Sequence, residues 1–391
     1  MTTDKHNKRP NVPPLRFPEF TEPWETAKLG DMTVNFSKRN KDEIEYPMYS
    51  VTNNRGFIPQ SEQFEDREMV SSDIKSYKII TKGDFAYNPA RINVGSIAKY
   101  NGDNDCMISS LYVAFRAKEQ INAEWLMQLL KTPKMNFYYN LNAEGGVRMY
   151  LFYPNFERIR TSYPSLNEQR KVAQFLDLLD HRIAVQSGLI EDLQKLKAAL
   201  VERLFCNKLG WKRYKYRDLL SPISERNSGN QFSNVLSASQ ELGMVSRTDL
   251  DIDIKFDRSA VTTYKIVRDG DYVLHLRSFQ GGLAFSSMTG ICSPAYTILR
   301  PVKELEYGFF QEYFMSKSFI NSLRLVTYGI RDGRSINVDE FLDMPVEIPD
   351  SATQCRIISI LSIMNRRLRL AIKQNENFIK QKQYLLQQMF I

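Results

Sequence analysis

Residues 163–206, YPSLNEQRKVAQFLDLLDHRIAVQSGLIEDLQKLKAALVERLFC, decide how this chain is built. After Pro164 no proline interrupts the stretch, and Leu176, Leu179, Ile183, Gln186, Ile190, Leu193, Lys197, Leu200 and Leu204 follow alternating steps of three and four. Proline just ahead of such a run suits a helix start, and the stepping is a heptad seam. A helix of about 40 residues is about 60 Å long, more than a globular domain usually needs, so it reads as a spacer. Adding 185 to each seam position gives Leu361, Met364, Leu368, Ala371, Asn375, Phe378, Lys382, Leu385 and Met389 in a second stretch after Pro349. Neither stripe is buried by its own helix, and the economical solution is an antiparallel coiled coil of the two. The polar seam residues Gln186, Lys197, Asn375 and Lys382 then fix its register at some cost in stability.

The duplication reaches beyond the helices. Trp24 and Trp211, Arg39 and Arg226, Asn40 and Asn227, Gly56 and Gly243, Tyr77-Lys78-Ile79 and Tyr264-Lys265-Ile266, and Gly95 and Gly282 all stand 187 apart. After a small deletion the offset is 184, matching Ser109, Tyr112 and Arg116 to Ser293, Tyr296 and Arg300, and then 185, matching Pro164 and Gln169 to Pro349 and Gln354. The chain is two copies of one unit of roughly 185 residues. The part of each copy before its proline is rich in Tyr, Phe, Val and Ile broken by Gly, Asn and Asp, and YKIITKGDFAYN reads as strand, turn and strand. One helix is expected in each, near AEWLMQLLKT and YGFFQEYFMSKSF. The fold class is therefore α+β: two β-rich domains in pseudo-two-fold repeat, separated by two long helices. The boundaries read as an N-terminal tail at 1–19, a first domain at 20–162, a central helical spacer at 163–208 with Lys208-Leu209-Gly210 as its closing turn, a second domain at 209–347 and a C-terminal helical spacer at 348–391.

With 391 residues, 42% apolar and 25% charged, the chain has enough of each to fold as two or three soluble domains. No uninterrupted apolar stretch of membrane-spanning length occurs and MTTDKHNKRPNVPP has no apolar signal core, so a cytoplasmic location without membrane attachment is expected. Four dispersed cysteines and three histidines give neither a disulfide framework nor a metal site. A net charge of +8 favours a polyanionic partner without proving one.

Catalytic constellations are missing. Asn88-Pro89-Ala90 lacks the second proline and the aromatic residue of an amino-methyltransferase motif, and its counterpart is His275-Leu276-Arg277, so it reads as a turn. The glycine pairs at 145–146 and 281–282 do not extend into a phosphate-binding loop. His181 and His275 are not duplicated, and lone histidines are more often structural. No catalytic residue, metal or bound cofactor is expected in this chain.

PPLRFPEFTEPWETAKLGDM at the start, YPSLNEQRKVAQFLDLLDHRI with its tail LKAALVERLF, and two β-rich regions alternating with helices resemble the specificity subunit of type I restriction-modification systems. The resemblance spans essentially the whole chain. The second copy departs from it, reading Pro349-Asp350-Ser351-Ala352-Thr353-Gln354 without the Glu that stands at Glu168. The resemblance implies a non-catalytic subunit whose two target-recognition domains each read half of a split sequence in double-stranded DNA. It also implies that the helices dock two methylation subunits, which carry S-adenosylmethionine and methylate adenine, and leaves open whether restriction subunits using ATP and Mg join the same assembly. The competing reading is a coiled-coil scaffold whose β-rich domains bind proteins.

Base readout calls for Arg, Lys, Asn, Gln and Ser on exposed turns. The candidates fall at matching places in the copies: Lys38, Arg39 and Asn40 with Arg226 and Asn227; Arg91 and Asn93 with Arg277, Ser278 and Gln280; and Arg148 with Arg331 and Arg334. Residues identical in both copies fit phosphate contact or structure, whereas the unmatched Arg91, Asn93, Arg277 and Gln280 are better suited to reading sequence. From 353 to 391 the second helix carries seven basic residues against one acidic, which fits either a solvated face or an acidic partner surface met by Arg366, Arg367 and Arg369.

Overall fold

The two long helices span Leu166–Cys206 and Ser351–Gln388 in the computed structural model, which describes residues 11–63, 74–206, 208–239, 242–249, 258–275, 278–302, 304–329 and 335–391. Every seam position, from Leu176 through Ile183, Ile190, Leu193 and Leu200 to Leu204 and from Leu361 through Leu368 and Phe378 to Met389, is buried or half-buried. Each helix starts on a side-chain cap: Ser165 Oγ accepts the Glu168 N–H at 3.4 Å, and Asp350 Oδ1 accepts the Thr353 N–H at 2.7 Å. No helix among the described residues is long and apolar enough to cross a membrane.

The chain divides into two compact units, Met1–Gln186 with Gln374–Ile391 and Ser187–Lys373. The division runs through the long helices, so each unit contains part of both. In each unit a piece of one helix lies antiparallel to a piece of the other. In the first unit Lys382 donates to Asp180 at 2.5 Å, the Arg182 guanidinium sits 4.9 Å from the Phe378 ring, and Leu385, Leu386 and Met389 share a core with Leu176 and Leu179. In the second, Ile357 and Leu361 share a core with Val201 and Phe205. Lys197 pairs with Glu312 of the β-rich part at 2.7 Å, and the same carboxylate accepts the Asn365 amide of the second helix at 2.6 Å.

Each unit repeats one topology. The first carries a four-stranded antiparallel sheet in the order Thr33–Phe36, Val113–Ala117, Phe85–Tyr87, Ile97–Lys99, and the second the order Leu220–Ile223, Thr297–Pro301, Tyr272–Leu274, Ala284–Phe285. Alternation sends Phe85, Tyr87 and Phe115 to the core shared with the helices and Ala86 and Ala114 to a smaller core on the other face. Tyr272 and Leu299 against Val273 and Ile298 do the same in the second unit. The entry and exit strands pair, Glu25 opposite Tyr163 and Lys212 opposite Ile348. Even the isolated bridges recur, Arg39 to Lys78 and Arg226 to Lys265.

The buried Gln169 and Gln354 explain their retention in both copies. Gln169 Oε1 accepts the Asn122 N–H at 2.8 Å and its amide donates to Pro164 O at 2.9 Å. Gln354 accepts the Glu306 N–H at 2.9 Å and donates to Pro349 O at 3.1 Å. Glu168 instead holds Arg16 through two contacts of 2.7 Å and the Trp24 indole N–H at 3.2 Å. The second copy carries Thr353 at the position matching Glu168, so this carboxylate clasp is not repeated there.

The expected helix at Ala123–Leu130 forms, with Asn122 capping it through the Trp125 N–H at 2.9 Å. The one expected over YGFFQEYFMSKSF does not: turns lead into a short 3-10 segment at Tyr313–Met315, and an α-helix runs only over Lys317–Ser322. Adjacent Phe309 and Phe310 are both buried, Gly308 has φ +76°, and the Phe310 N–H goes to the Tyr272 hydroxyl at 3.1 Å. A surface helix would have turned one of the two rings toward water.

Candidate nucleic-acid interface

Two clefts of about 640 and 660 Å³ adjoin on the first unit and share Asn88, Arg91, Ser109 and Tyr112. Their floor is set by the turn after the strand Phe85–Tyr87, where Asn88 Oδ1 accepts the Ala90 N–H at 3.0 Å and the Arg91 N–H returns to Asn88 O at 3.0 Å. That Asx turn is the role found for Asn88-Pro89-Ala90, and it holds Arg91 exposed between the clefts. Ser50, Thr52, Asn53, Asn54 and Gln60 line one cleft, and Leu111, Arg148, Tyr150 and Phe152 the other. Among the described residues no Asp or Glu lines either.

Behind this surface lies a half-buried cation. Lys78 donates to Tyr112 O, and burial, with Arg39 nearby as a second cause, lowers its pKa. Lys265 repeats the bond to Tyr296 O at 2.6 Å. The sheet behind is braced in both copies by a buried acid: Arg116 Nε meets Asp84 at 2.5 Å and Arg300 Nε meets Asp271 at 2.8 Å. Asp84 also accepts the Thr81 N–H at 2.9 Å, and Asp271 the Arg268 N–H at 2.8 Å.

Among the residues expected to touch DNA, the structure brings Arg91 and Arg148 to one cleft. Lys38, Arg39, Arg226 and Gln280 are exposed but line neither cleft. Asn93 is half-buried and donates to Asn140 at 2.9 Å. Arg277, Arg331 and Arg334 lie outside the described residues. Three of the candidates are buried. Asn40 and Asn227 are almost fully buried, and each spends both ends of its carboxamide on its own loop: Asn40 on Ile44 at 2.8 and 3.1 Å, Asn227 on Phe232 at 2.8 and 3.1 Å. Their identity in the two copies marks loop closure, because a short amide side chain competes well for nearby backbone groups. Ser278 is fully buried and its hydroxyl accepts the His275 N–H at 2.8 Å. His275 is buried too, and desolvation lowers its pKa.

Tyr112, Ser109 and Leu111 escaped sequence reasoning. They follow the strand Cys106–Ile108 and meet Arg91 only through the sheet, so no local motif marks them. Burial pushes the thiols of Cys106 and Cys292 up to about 12, which makes neither a nucleophile near neutral pH.

Two β-rich units of one topology carried on two long helices define a tandem-repeat class of protein. Residues 21–195 match the family "Type I restriction modification DNA specificity domain". The chain is 25% identical over 211 residues to the type I restriction enzyme MjaX specificity subunit of Methanocaldococcus jannaschii, a match covering 51% of this chain and 49% of that protein. It thus spans about half the length of that curated relative. The S subunit of a type I restriction-modification system from M. genitalium shares the fold at a TM-score of 0.57 and 11% identity, over 97% of this chain and 99% of that one. A chain from a structural study of type I R-M complex assembly and conformational transition gives 0.57 at 14% identity, over 93% and 96%. Over those residues the chain is thus similar to type I restriction-modification specificity subunits.

Proposed function

We propose that this chain is the non-catalytic DNA-recognition subunit of a type I restriction-modification complex, each β-rich unit reading one half of a bipartite duplex target. The observation that carries the reading is the pair of clefts around Arg91 and Arg148, lined by no acid among the described residues. Guanidinium groups on turns satisfy phosphates and guanine edges alike, and surrounding Asn, Ser and Tyr side chains donate and accept at base edges. The second unit has the buried Ser278 beside His275 where the first has the exposed Arg91 beside Asn88. Units that differ there are suited to reading different half-sites.

The helices supply the docking surface for two methylation subunits, which bring S-adenosylmethionine and the adenine chemistry; a restriction subunit, where one joins, brings ATP and Mg. Behind this reading stands a second apolar stripe on the outer face of each helix. Leu178 and Val185 on the first helix, and Ile363 and Leu370 on the second, are each more than half exposed and stand at the same offset of 185. A duplicated apolar surface suits a duplicated partner.

The test is anisotropy of labelled duplex DNA with the chain and its methylation subunits, read across a salt series. Binding at low salt that falls steeply as salt rises is expected. No binding at low salt would overturn the proposal.

A further inference from the structure

Beside the clefts the first unit projects a small finger. Its base is closed by paired backbone bonds, Glu144 N–H to Tyr150 O at 2.9 Å and Tyr150 N–H to Glu144 O at 2.8 Å. Leu151 is fully buried and donates its N–H to Pro89 O at 3.0 Å, tying the finger to the turn that carries Arg91. Tyr150 and Phe152 stack, ring centroids 5.8 Å apart and planes within 5°. The tip turns on Gly145, whose φ is +140°, and a Cβ there would lie 2.1 Å from Arg148 O, so only glycine fits.

What this fixed base presents is unusual for a protein surface. Val147 is 104% exposed and touches no core, while Arg148 beside it is exposed and lines the cleft. A β-branched side chain has little rotamer freedom to lose when it meets a partner, so it docks at low entropic cost. The matching hairpin of the second unit pairs Thr327–Tyr328 with Ser335–Ile336, and its sequence continues Gly329-Ile330-Arg331 where the first reads Gly146-Val147-Arg148. Glycine, a β-branched apolar residue and arginine thus recur in both copies, although the turn at Arg91 and Ser278 differs. Half-sites of different sequence cannot be read by the same side chains, so the repeated triplet must do something that both halves need.

We propose that the finger tip is a sequence-independent clamp on duplex DNA: Val147 lies as an apolar wedge against base edges or a base step in a groove, and Arg148 holds the neighbouring phosphate. The inference rests on the DNA-recognition reading and assigns to the tip affinity rather than choice of bases. Apolar wedges that lean on partly unstacked steps, flanked by cations on phosphate, are a general device for gripping duplexes without reading them.

The test uses full-length Val147→Ser and Arg148→Gln chains, each assembled with the methylation subunits. Because Val147 is fully exposed, Val147→Ser should keep its thermal midpoint, which separates a binding defect from misfolding. Both variants should bind every duplex about tenfold more weakly, target and non-target alike, with the methylated sequence unchanged. The salt series then divides the roles: the slope of log affinity against log salt should fall by about one for Arg148→Gln and stay constant for Val147→Ser. Wild-type binding with unchanged affinity in both variants overturns the clamp, as does a changed methylated sequence, which would make the tip a base reader. Absence of duplex binding by the wild-type complex refutes the DNA-recognition reading itself.

Discussion

Gln169 accepts the backbone N–H of Asn122 at 2.8 Å, joining the start of the first long helix to the helix that backs the sheet. The fully buried carboxamide also donates to Pro164 O at 2.9 Å, so its removal strands a buried donor and a buried acceptor together. Gln169→Ala should destabilise the first unit by about 2 kcal/mol, and Gln354→Ala the second by a similar amount. Thermal unfolding of the two variants checks this. Equal stability to wild type in both would mean that water replaces the bonds without cost.

Partner docking can be probed without touching the seam. Leu178→Asp and Ile363→Asp change side chains that already face solvent, so each should alter stability by no more than about 0.5 kcal/mol. Together they should abolish co-purification with the methylation subunits. Retained assembly would place the partners on another face, and the exposed Arg366, Arg367 and Arg369 would then be the surface to reverse.

Helix length should set target spacing. Four residues inserted near Gly188, and four more at the matching position near Lys373, add about 6 Å to each helix while nearly preserving its apolar face. Duplex DNA rises about 3.4 Å per base pair, so methylated sites should keep both half-sequences and gain one or two unspecified base pairs. Sequencing of methylated adenines reads the outcome, and an unchanged spacer with full activity would separate helix length from target length.

Thiol chemistry should sort the cysteines by burial. Cys206 and Cys355 are exposed, whereas Cys106 and Cys292 are buried and titrate near 12. A thiol reagent at pH 8 should label Cys206 and Cys355 in the native chain and all four after denaturation. The sign of the linkage follows. The unfolded chain ionises these thiols near 9 and the folded chain near 12, so their contribution to stability is complete below 9 and declines as pH rises between the two. Denaturant midpoints should accordingly fall across that window, less so in Cys106→Ala.

The helices were legible in the sequence because one physical rule, burial of a stripe every three or four residues, acts along the chain, and Leu176 and Leu361 obey it. The repeat was legible because identical residues at a fixed offset need no structure to be seen. The site was legible only in part. Arg91 and Arg148 sit on turns that glycine and proline announce, but Tyr112 joins them through strand pairing, which no local pattern records. Asn40 misled because an amide on a turn looks the same whether it faces a base edge or its own backbone. The aromatic run at Phe309 and Phe310 misled because helical spacing assumes one wet face, and there both neighbours are dry.

Phe390 stacks on Trp125 at 5.9 Å and meets Trp24 edge-on at 6.3 Å, so the first unit is finished by residues that follow the whole of the second. Translation delivers the chain in order, and this order and the packing order disagree. Until residues 385–390 leave the ribosome, the nascent first unit exposes the tryptophans they will cover, and its maturation waits on the second unit having been made. A frameshift or early stop late in the message would therefore cripple the half of the protein synthesised first. A chain that stops after the second unit but before residue 385 would keep its later unit whole and leave the core of its earlier one unfinished.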